Sequence, residues 1–411
     1  MRRLTEWSCD ERVRRQAVTR PLATAALTVL ALSFPAAIMA AETALDREMA
    51  ELSRQIQGVV KERGNTIQVG DFIAKGDAAR HGGAGGPAIA KSLIDQLEKL
   101  KVTVSRTAEV LVAGEFRDVT DKVSKKTALE VKARLEDRAG EPIVELRSRG
   151  VFDLATIAAV LGITLTVPPK ANDTERERAI DKAIDKIQSP HLDGTRIAAD
   201  ALSPYAIEIL VGPDPGDKTP DLTNYRPRAA ALDKDGLAFL KINRREVYAV
   251  TLINGSPYEV AVTLSVDGLS MYAFSENKNY TVATVPAAKD GQPGLGVIPG
   301  WHISNERSDA FQVDAYSKSA AATLVPASKS VGTITASFQA AWPQGTNPPP
   351  DEGVKSGARD ADATARGGQV NPAQTKFVEV SRDIGKIRSS VSVHYNKALD
   401  PANLPDSKPK S

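Results

Sequence analysis

The sequence predicts an α+β fold: an N-terminal α/β sandwich, mostly an antiparallel sheet with helices, followed by an all-β sandwich. Three observations carry this. Apolar residues recur at helical spacing in 44–62 and again after Pro87, which marks amphipathic helices. Strict two-residue alternation runs through Thr127–Glu136 and Glu259–Val266, which marks strands with one buried face. From Tyr205 the texture changes to short apolar runs broken by Gly212-Pro213, Asp235-Gly236, Asn254-Gly255, Asp267-Gly268 and Pro299-Gly300, the spacing of a sandwich or barrel. No repeat period is present, which excludes solenoids and propellers.

With 411 residues, the chain has room for two to three domains at roughly 100–200 residues each. Lys+Arg number 53 against 51 Asp+Glu, a net charge of +2. This near balance gives no global reason to expect nucleic acid or an anionic membrane as partner. The single cysteine, Cys9, lies in the leader, so intramolecular disulfides, thiol chemistry and cysteine-built zinc sites are excluded.

Residues 1–41 read as an export leader. Arg2, Arg3, Arg12, Arg14, Arg15 and Arg20 precede an apolar run from Leu22 to Phe34, then Pro35 and the small residues leading to Ala40. A charged region, an apolar region and a small-residue cut site are the parts of a signal peptide, with cleavage expected near Ala40 or Ala41. The basic region is long, and a start at Val18 would leave a more compact leader. The alternative is a retained N-terminal anchor, since the apolar stretch of about 18–19 residues is at the short end of what spans a bilayer. No cysteine follows it, which rules out a lipid-modified N-terminal cysteine, and no second run reaches spanning length. The product is expected in the periplasm, in the cell envelope or outside the cell.

The first domain is expected over 44–195. Leu45, Met49, Leu52, Ile56, Val59 and Val60 form the stripe of a first helix, which Gly64 ends. Thr66–Ile73 reads as a strand. Pro87 opens a second helix, with Ile89, Leu93, Leu97 and Leu100 as its apolar stripe. Short Val102–Val104, then Glu109–Phe116, Thr127–Glu136 and Ile143–Arg149, read as strands of a sheet wet on one face. Asp153 caps a short helix, Leu154–Leu161, and Thr174 with Glu177 offers a capping box for a helix over Asp173–Ile187. Gly83–Ala88 and Gly85–Ser92 loosely resemble phosphate-binding loops. Ala90 stands where the second Gly belongs, and the preceding strand ends too early, so a loop and helix start is the expected reading, with His81 an exposed loop histidine.

The second domain is expected over 196–397. Its clearest stretch is Glu246–Gly268. Tyr248, Val250 and Leu252 alternate before Asn254-Gly255, and Val260, Val262, Leu264 and Val266 alternate after it. This reads as a hairpin with a four- or five-residue loop. Further strands are expected at Tyr205–Val211, Ala229–Leu232, Leu237–Ile242, Tyr280–Val285, Ala310–Ala315, Gly332–Ala340 and Ser389–His394. Polar 343–376 reads as a disordered insert and 398–411 as a disordered tail.

Chemistry-bearing patterns are sparse. His81, His191, His302 and His394 are far apart, which disfavours a histidine-built metal site. Asp214, Asp217 and Asp221, and again Asp233 and Asp235, lack the ligand spacing of a calcium loop and read as turns. The most site-like run is Pro299–Asp309. Trp301 offers an aromatic face, and His302, Asn305, Arg307 and Asp309 offer polar groups to fix a ligand. Its alternative use is hydrolytic, His302 with Ser308 and Asp309, although no G-x-S-x-G elbow occurs.

Ser203–Gly212, Asp235–Asn254, Val266–Glu276, Ile298–His302, Ser308–Phe311, Tyr316–Ala322, Gly332–Trp342 and Ser389–Tyr395 together resemble a family of uncharacterised exported proteins of planctomycete-type bacteria. That resemblance implies export and no particular activity. Gly85–Leu100 and Ala108–Phe116 resemble the periplasmic domains of curli-secretion and penicillin-binding-protein-activator lipoproteins. Those proteins are lipid-anchored through a cysteine that this chain lacks. The expectation is a non-enzymatic exported cell-envelope protein without a cofactor or metal, a binding or interaction module for an envelope protein or polymer. No nucleic acid is expected, and no integral membrane domain beyond the alternative N-terminal anchor. A hydrolase of envelope polymers and an accessory subunit of a secretion or cell-wall complex are the alternatives.

Overall fold

The computed structural model describes residues 36–39, 43–81, 85–121, 125–216, 218–277, 280–304, 306–315, 319–320, 331–352, 380 and 382–395. The rest of the leader, 353–376 of the expected insert and the tail lie outside the described residues.

Strand β1 (Ala36–Met39) comes first, then helix α1 (Ala44–Val60), whose N-terminus is closed by a reciprocal capping box between Thr43 and Asp46. Strand β2 (Thr66–Ala74), helix α2 (Gly85–Lys99) and strands β3 (Thr103–Val104) and β4 (Leu111–Thr120) follow. β2 pairs parallel with both β3 and β4, as a strand–helix–strand crossover requires. Strands β5 (Thr127–Glu136) and β6 (Pro142–Arg147) extend this sheet antiparallel, so the five-stranded sheet β3-β2-β4-β5-β6 is mixed. Helix α3 (Leu154–Leu161) is capped by Asp153 and ends on Gly162 in the left-handed region. Strand β7 (Leu165–Thr166) leads to helix α4 (Asp173–Asp185).

Strands β8 (His191–Asp193), β9 (Arg196–Ala198), β10 (Tyr205–Gly212), β11 (Arg226–Pro227), β12 (Ala231–Leu232), β13 (Ala238–Phe239), β14 (Val247–Asn254) and β15 (Val260–Val266) follow. Then come β16 (Leu269–Ser270), β17 (Tyr280–Val285), β18 (Gly294–Ile298), β19 (Gly300–Ser304), β20 (Arg307–Gln312), β21 (Thr333–Pro343) and β22 (Arg382–His394). They form an eight-stranded sheet built on β19-β20-β14-β10-β9-β8 and a nine-stranded sheet built on β1-β17-β15-β21-β22-β13-β12. The inner faces of the two meet in one core containing Ile207, Val250, Val262, Leu264, Phe338 and Val391. Tyr205 stacks on Phe338 across it, with ring centroids 5.3 Å apart. Fully burying such side chains stabilises by roughly 1.5–3 kcal/mol each.

The second core joins the five-stranded sheet to the helices and continues into Leu165 and Ile387, a β22 residue. β7 also pairs with β22. The helices therefore lie between the five-stranded sheet and the outer face of the nine-stranded sheet. Small hydroxyl side chains line that outer face. Thr335 pairs with Ser392 and Ser337 with Ser390, each at 3.0 Å, satisfying one another while Gly162 at the end of α3 packs over them. Among the described residues, no helix is long and apolar enough to cross a membrane.

Several expectations are corrected. Glu246–Gly268 is no hairpin: β14 lies in the eight-stranded sheet and β15 in the nine-stranded one. The Asn254 amide donates to Tyr258 and Pro286 carbonyls at 2.8 Å, so Asn254-Gly255 begins an arch between sheets. The cap of α4 is Asn172, whose side chain accepts from Glu175 N, rather than Thr174. Pro87 is the third residue of α2, still within the turn whose N–H groups lack helical acceptors. His81 is buried, at 2% exposure, in a 3₁₀ turn, and its Nε2 contacts the Ile184 carbonyl at 3.1 Å. Residues 343–352 belong to the fold: β21 runs to Pro343, and Glu352 is buried against Arg388.

Candidate functional site

The run around Trp301 is placed at the end of the sandwich, on β19 and β20. Trp301 is 9% exposed and makes edge contacts with Phe274 and Phe311, centroids 5.3 and 5.1 Å away. Its ring faces the core. His302 is 1% exposed, packs against Tyr272 and Tyr280 at 5.2 and 5.4 Å, and sets Nδ1 3.1 Å from Ser275 Oγ. Arg307 and Asp309 form an exposed ion pair at 3.2 Å. Asn305 lies outside the described residues. The strand register puts Asp309 opposite Trp301 and Ser308 opposite His302. The stretch therefore brings its four described members to one strand pair and divides them between an aromatic core and a solvated ion pair.

The acidic turns are self-satisfied. Asp214 accepts from Gly216 N at 2.9 Å and from the Arg245 guanidinium at 2.6 Å, and these hold its carboxyl below the usual range. Asp233 Oδ1 accepts from Asp235 N and Leu237 N, both at 2.9 Å. Asp217 lies outside the described residues. Among the described residues, no group of three His, Cys, Asp or Glu side chains is arranged to hold a metal. The glycines before α2 have a packing role. A Cβ on Gly85 would sit 2.5 Å from the Val160 carbonyl oxygen and one on Gly86 2.3 Å from that of Phe72. Only glycine lets α2 approach β2 and α3 this closely.

A cleft of about 1190 Å³ opens between the helical layer and the outer face of the nine-stranded sheet. One wall is built from the N-terminal turns of α1, α3 and α4 and one face of α2; the other from Thr263 and Ser265 of β15, β17, Trp342 of β21 and the start of β22. Three ion pairs close within the walls, and the lining as a whole carries more acidic than basic groups. Lys126 meets Glu177 at 2.7 Å and Lys386 meets Asp173 at 2.6 Å, and the Lys386 ammonium draws the Asp173 carboxyl below its ordinary range. Lys91 pairs with Asp95. Ser92 donates to Asp46 at 2.5 Å. Arg176 is buried and donates to the Ile387 and Ala171 carbonyls at 2.5 and 3.1 Å. Phe152, 41% exposed, stands out as bare apolar surface on the helical wall. A cleft with an acidic balance and a few apolar contacts suits a neutral or basic ligand better than an anionic one.

A second depression, about 570 Å³, lies between α1 and the end of α2, lined by Arg54, Gln57, Lys61 and Lys101. Within it Gln57 spends its amide on the Leu100 carbonyl at 2.8 Å.

Sequence reasoning missed the cleft. Phe152 precedes a cap and reads as a helix start. Thr263 and Ser265 read as the solvent face of β15, because alternation shows polarity but not what covers a polar face. No protein-family model matches the chain, and neither a curated protein nor a solved structure matches it.

Proposed function

We propose that this is a non-enzymatic, exported envelope protein whose ligand, an envelope protein or polymer, lies in the cleft between the helical layer and the nine-stranded sheet. The observation that carries the reading is the cleft itself: both halves of the chain build it, three ion pairs close within its walls, and Phe152 is left exposed there. The likeness of 203–395 to exported proteins agrees with this placement. The hydrolase alternative gains little support, because a substrate would have to displace Tyr272 and Tyr280 to reach His302.

The test is photo-crosslinking in the native envelope from a probe at position 152, with a matched probe at exposed Leu202 as control. The cleft probe is expected to capture a defined adduct that the Leu202 probe does not. Phe152→Glu, which leaves the buried core untouched, should lower capture by other cleft probes about tenfold, the cost of one lost apolar anchor. Equal capture from both positions would defeat the cleft.

A further inference from the structure

β1 is the outermost strand of the nine-stranded sheet and pairs antiparallel with β17, Ala36 opposite Thr284, Ala37 opposite Ala283, Ile38 opposite Val282 and Met39 opposite Tyr280. These four residues end the segment that the sequence assigns to the leader, immediately before the expected cut at Ala40 or Ala41. Removal of the leader would leave β17 as a sheet edge, with a row of backbone N–H and C=O groups without strand partners.

The other strands that end the three main strand orders are protected in ways that a bared β17 would not be. β3 and β12 have two residues each and β8 has three. β6 carries Pro142, Glu145 and Arg147. β19 is closed on its outer side by His302 N donating to the Met271 carbonyl at 2.9 Å and Glu276 N donating to the Ile303 carbonyl at 2.8 Å. Short strands, charges, proline and covering loops all blunt an edge. β17 has six residues, YTVATV, without charge, proline or glycine. Tyr280, Thr281 and Val282 also line the cleft, as do Thr43–Glu48 at the start of α1. The edge that cleavage would bare is thus part of the cleft wall.

We propose that β17 is a strand-accepting edge, filled by the leader segment in the precursor and, after cleavage, by an extended peptide from an envelope protein that adds antiparallel. This rests on the exported, cleft-binding reading above and names the ligand class. Backbone hydrogen bonds supply the affinity of strand addition and alternate side chains its selectivity. The register sets the preference: small residues opposite Ala283 and Thr284, larger apolar ones opposite Val282 and Tyr280.

The test uses two forms of the chain: the uncleaved full chain, and the exported product with its N-terminus sequenced. The probe is a labelled peptide, Pro-Ala-Ala-Ile-Met-Ala, the sequence of 35–40, followed by fluorescence anisotropy. The exported form is expected to bind saturably and at least about tenfold more tightly than the full chain, whose edge is filled. N-methylation of alternate peptide residues should abolish binding in one phase of alternation and spare it in the other. Equal binding by both N-methylated peptides, equal binding by both protein forms, an exported product that retains 36–39, or a leader fragment still bound in the native mass would each overturn the proposal. Failure of the peptide while the position-152 probe still captures its adduct would end strand addition and leave the cleft reading standing. Failure of both would end both.

Discussion

Two buried histidines set an acid limit on the fold. His394 is 1% exposed, its Nδ1 lies 3.1 Å from Thr333 Oγ1, and burial lowers its pKa from 6.5 to about 4, with nearby His81 lowering it further and Asp233 opposing. His81 is lowered in the same direction, again chiefly by burial. An unfolded chain binds these protons below about pH 6.5, whereas the native state resists them until about 4 in the case of His394. Between those values the unfolded state carries more protons. The histidine contribution is therefore present above pH 6.5 and is lost as the pH falls, on the order of 3 kcal/mol for His394. Asp267 works against it, because burial raises its carboxyl pKa. Denaturant unfolding at stepped pH should show stability declining from pH 6.5 to 4, and His394→Asn should flatten that decline. A variant with an unchanged slope would show that the ring takes its proton in the native state at an ordinary pH.

At the scale of elements, the alternation of β15 was legible, and its pairing was not. Val260, Val262 and Leu264 do face the sandwich core, as the period of two requires. The nearest apolar strand in sequence is the partner that alternation suggests, yet β15 pairs with β17 and β21. The reason is local: Asn254 is fully buried and uses its amide to bind carbonyls on both sides of the arch, chemistry that an Asn-Gly pair does not distinguish from a turn. The caps at Asp153 and the stripes of α1 and α2 were readable because they depend on neighbours within one turn. The cleft depends on which layer covers which face, which no local pattern records. Because Val262 is completely buried between the two sheets, Val262→Asp would place a carboxylate where nothing pairs with it. Such burial costs several kcal/mol against a typical total of about 5–15 kcal/mol. The variant should melt well below the parent or fail to fold, while Val262→Ala should lose only about 1–3 kcal/mol. An unchanged melting curve for Val262→Asp would mean that β15 does not face the core.

At the scale of the whole molecule, two cores lie on either side of about residue 195, and contacts from β22 cross between them. The core beneath the five-stranded sheet includes Ile387 from β22, and Arg176 of α4 donates to the Ile387 carbonyl. Ser389 Oγ in turn donates to the Leu165 carbonyl at 3.1 Å, and Ser392 N donates to Thr164 Oγ1 at 3.2 Å. These bonds join residues more than two hundred positions apart, and most of their groups are buried. Separating the halves would expose the α3 face and leave Arg176 facing water without its carbonyl. It would also strip the hydroxyl stripe of β21 and β22 of its cover. Polar groups bared to water rebond to it, so the loss lies chiefly in the apolar surface uncovered, at about 25 cal/mol per Å², against a typical domain stability of about 5–15 kcal/mol. The two pieces, 43–195 and 196–395, should therefore be aggregated or loosely packed when expressed apart, with poorly dispersed amide spectra, and should recover native dispersion when expressed together. The intact chain should unfold in one calorimetric transition whose calorimetric and van't Hoff enthalpies agree. Two separate transitions, or a well-dispersed spectrum from either piece alone, would show that the shared strand β22 is a contact between independent units and that the cleft between them is free to open.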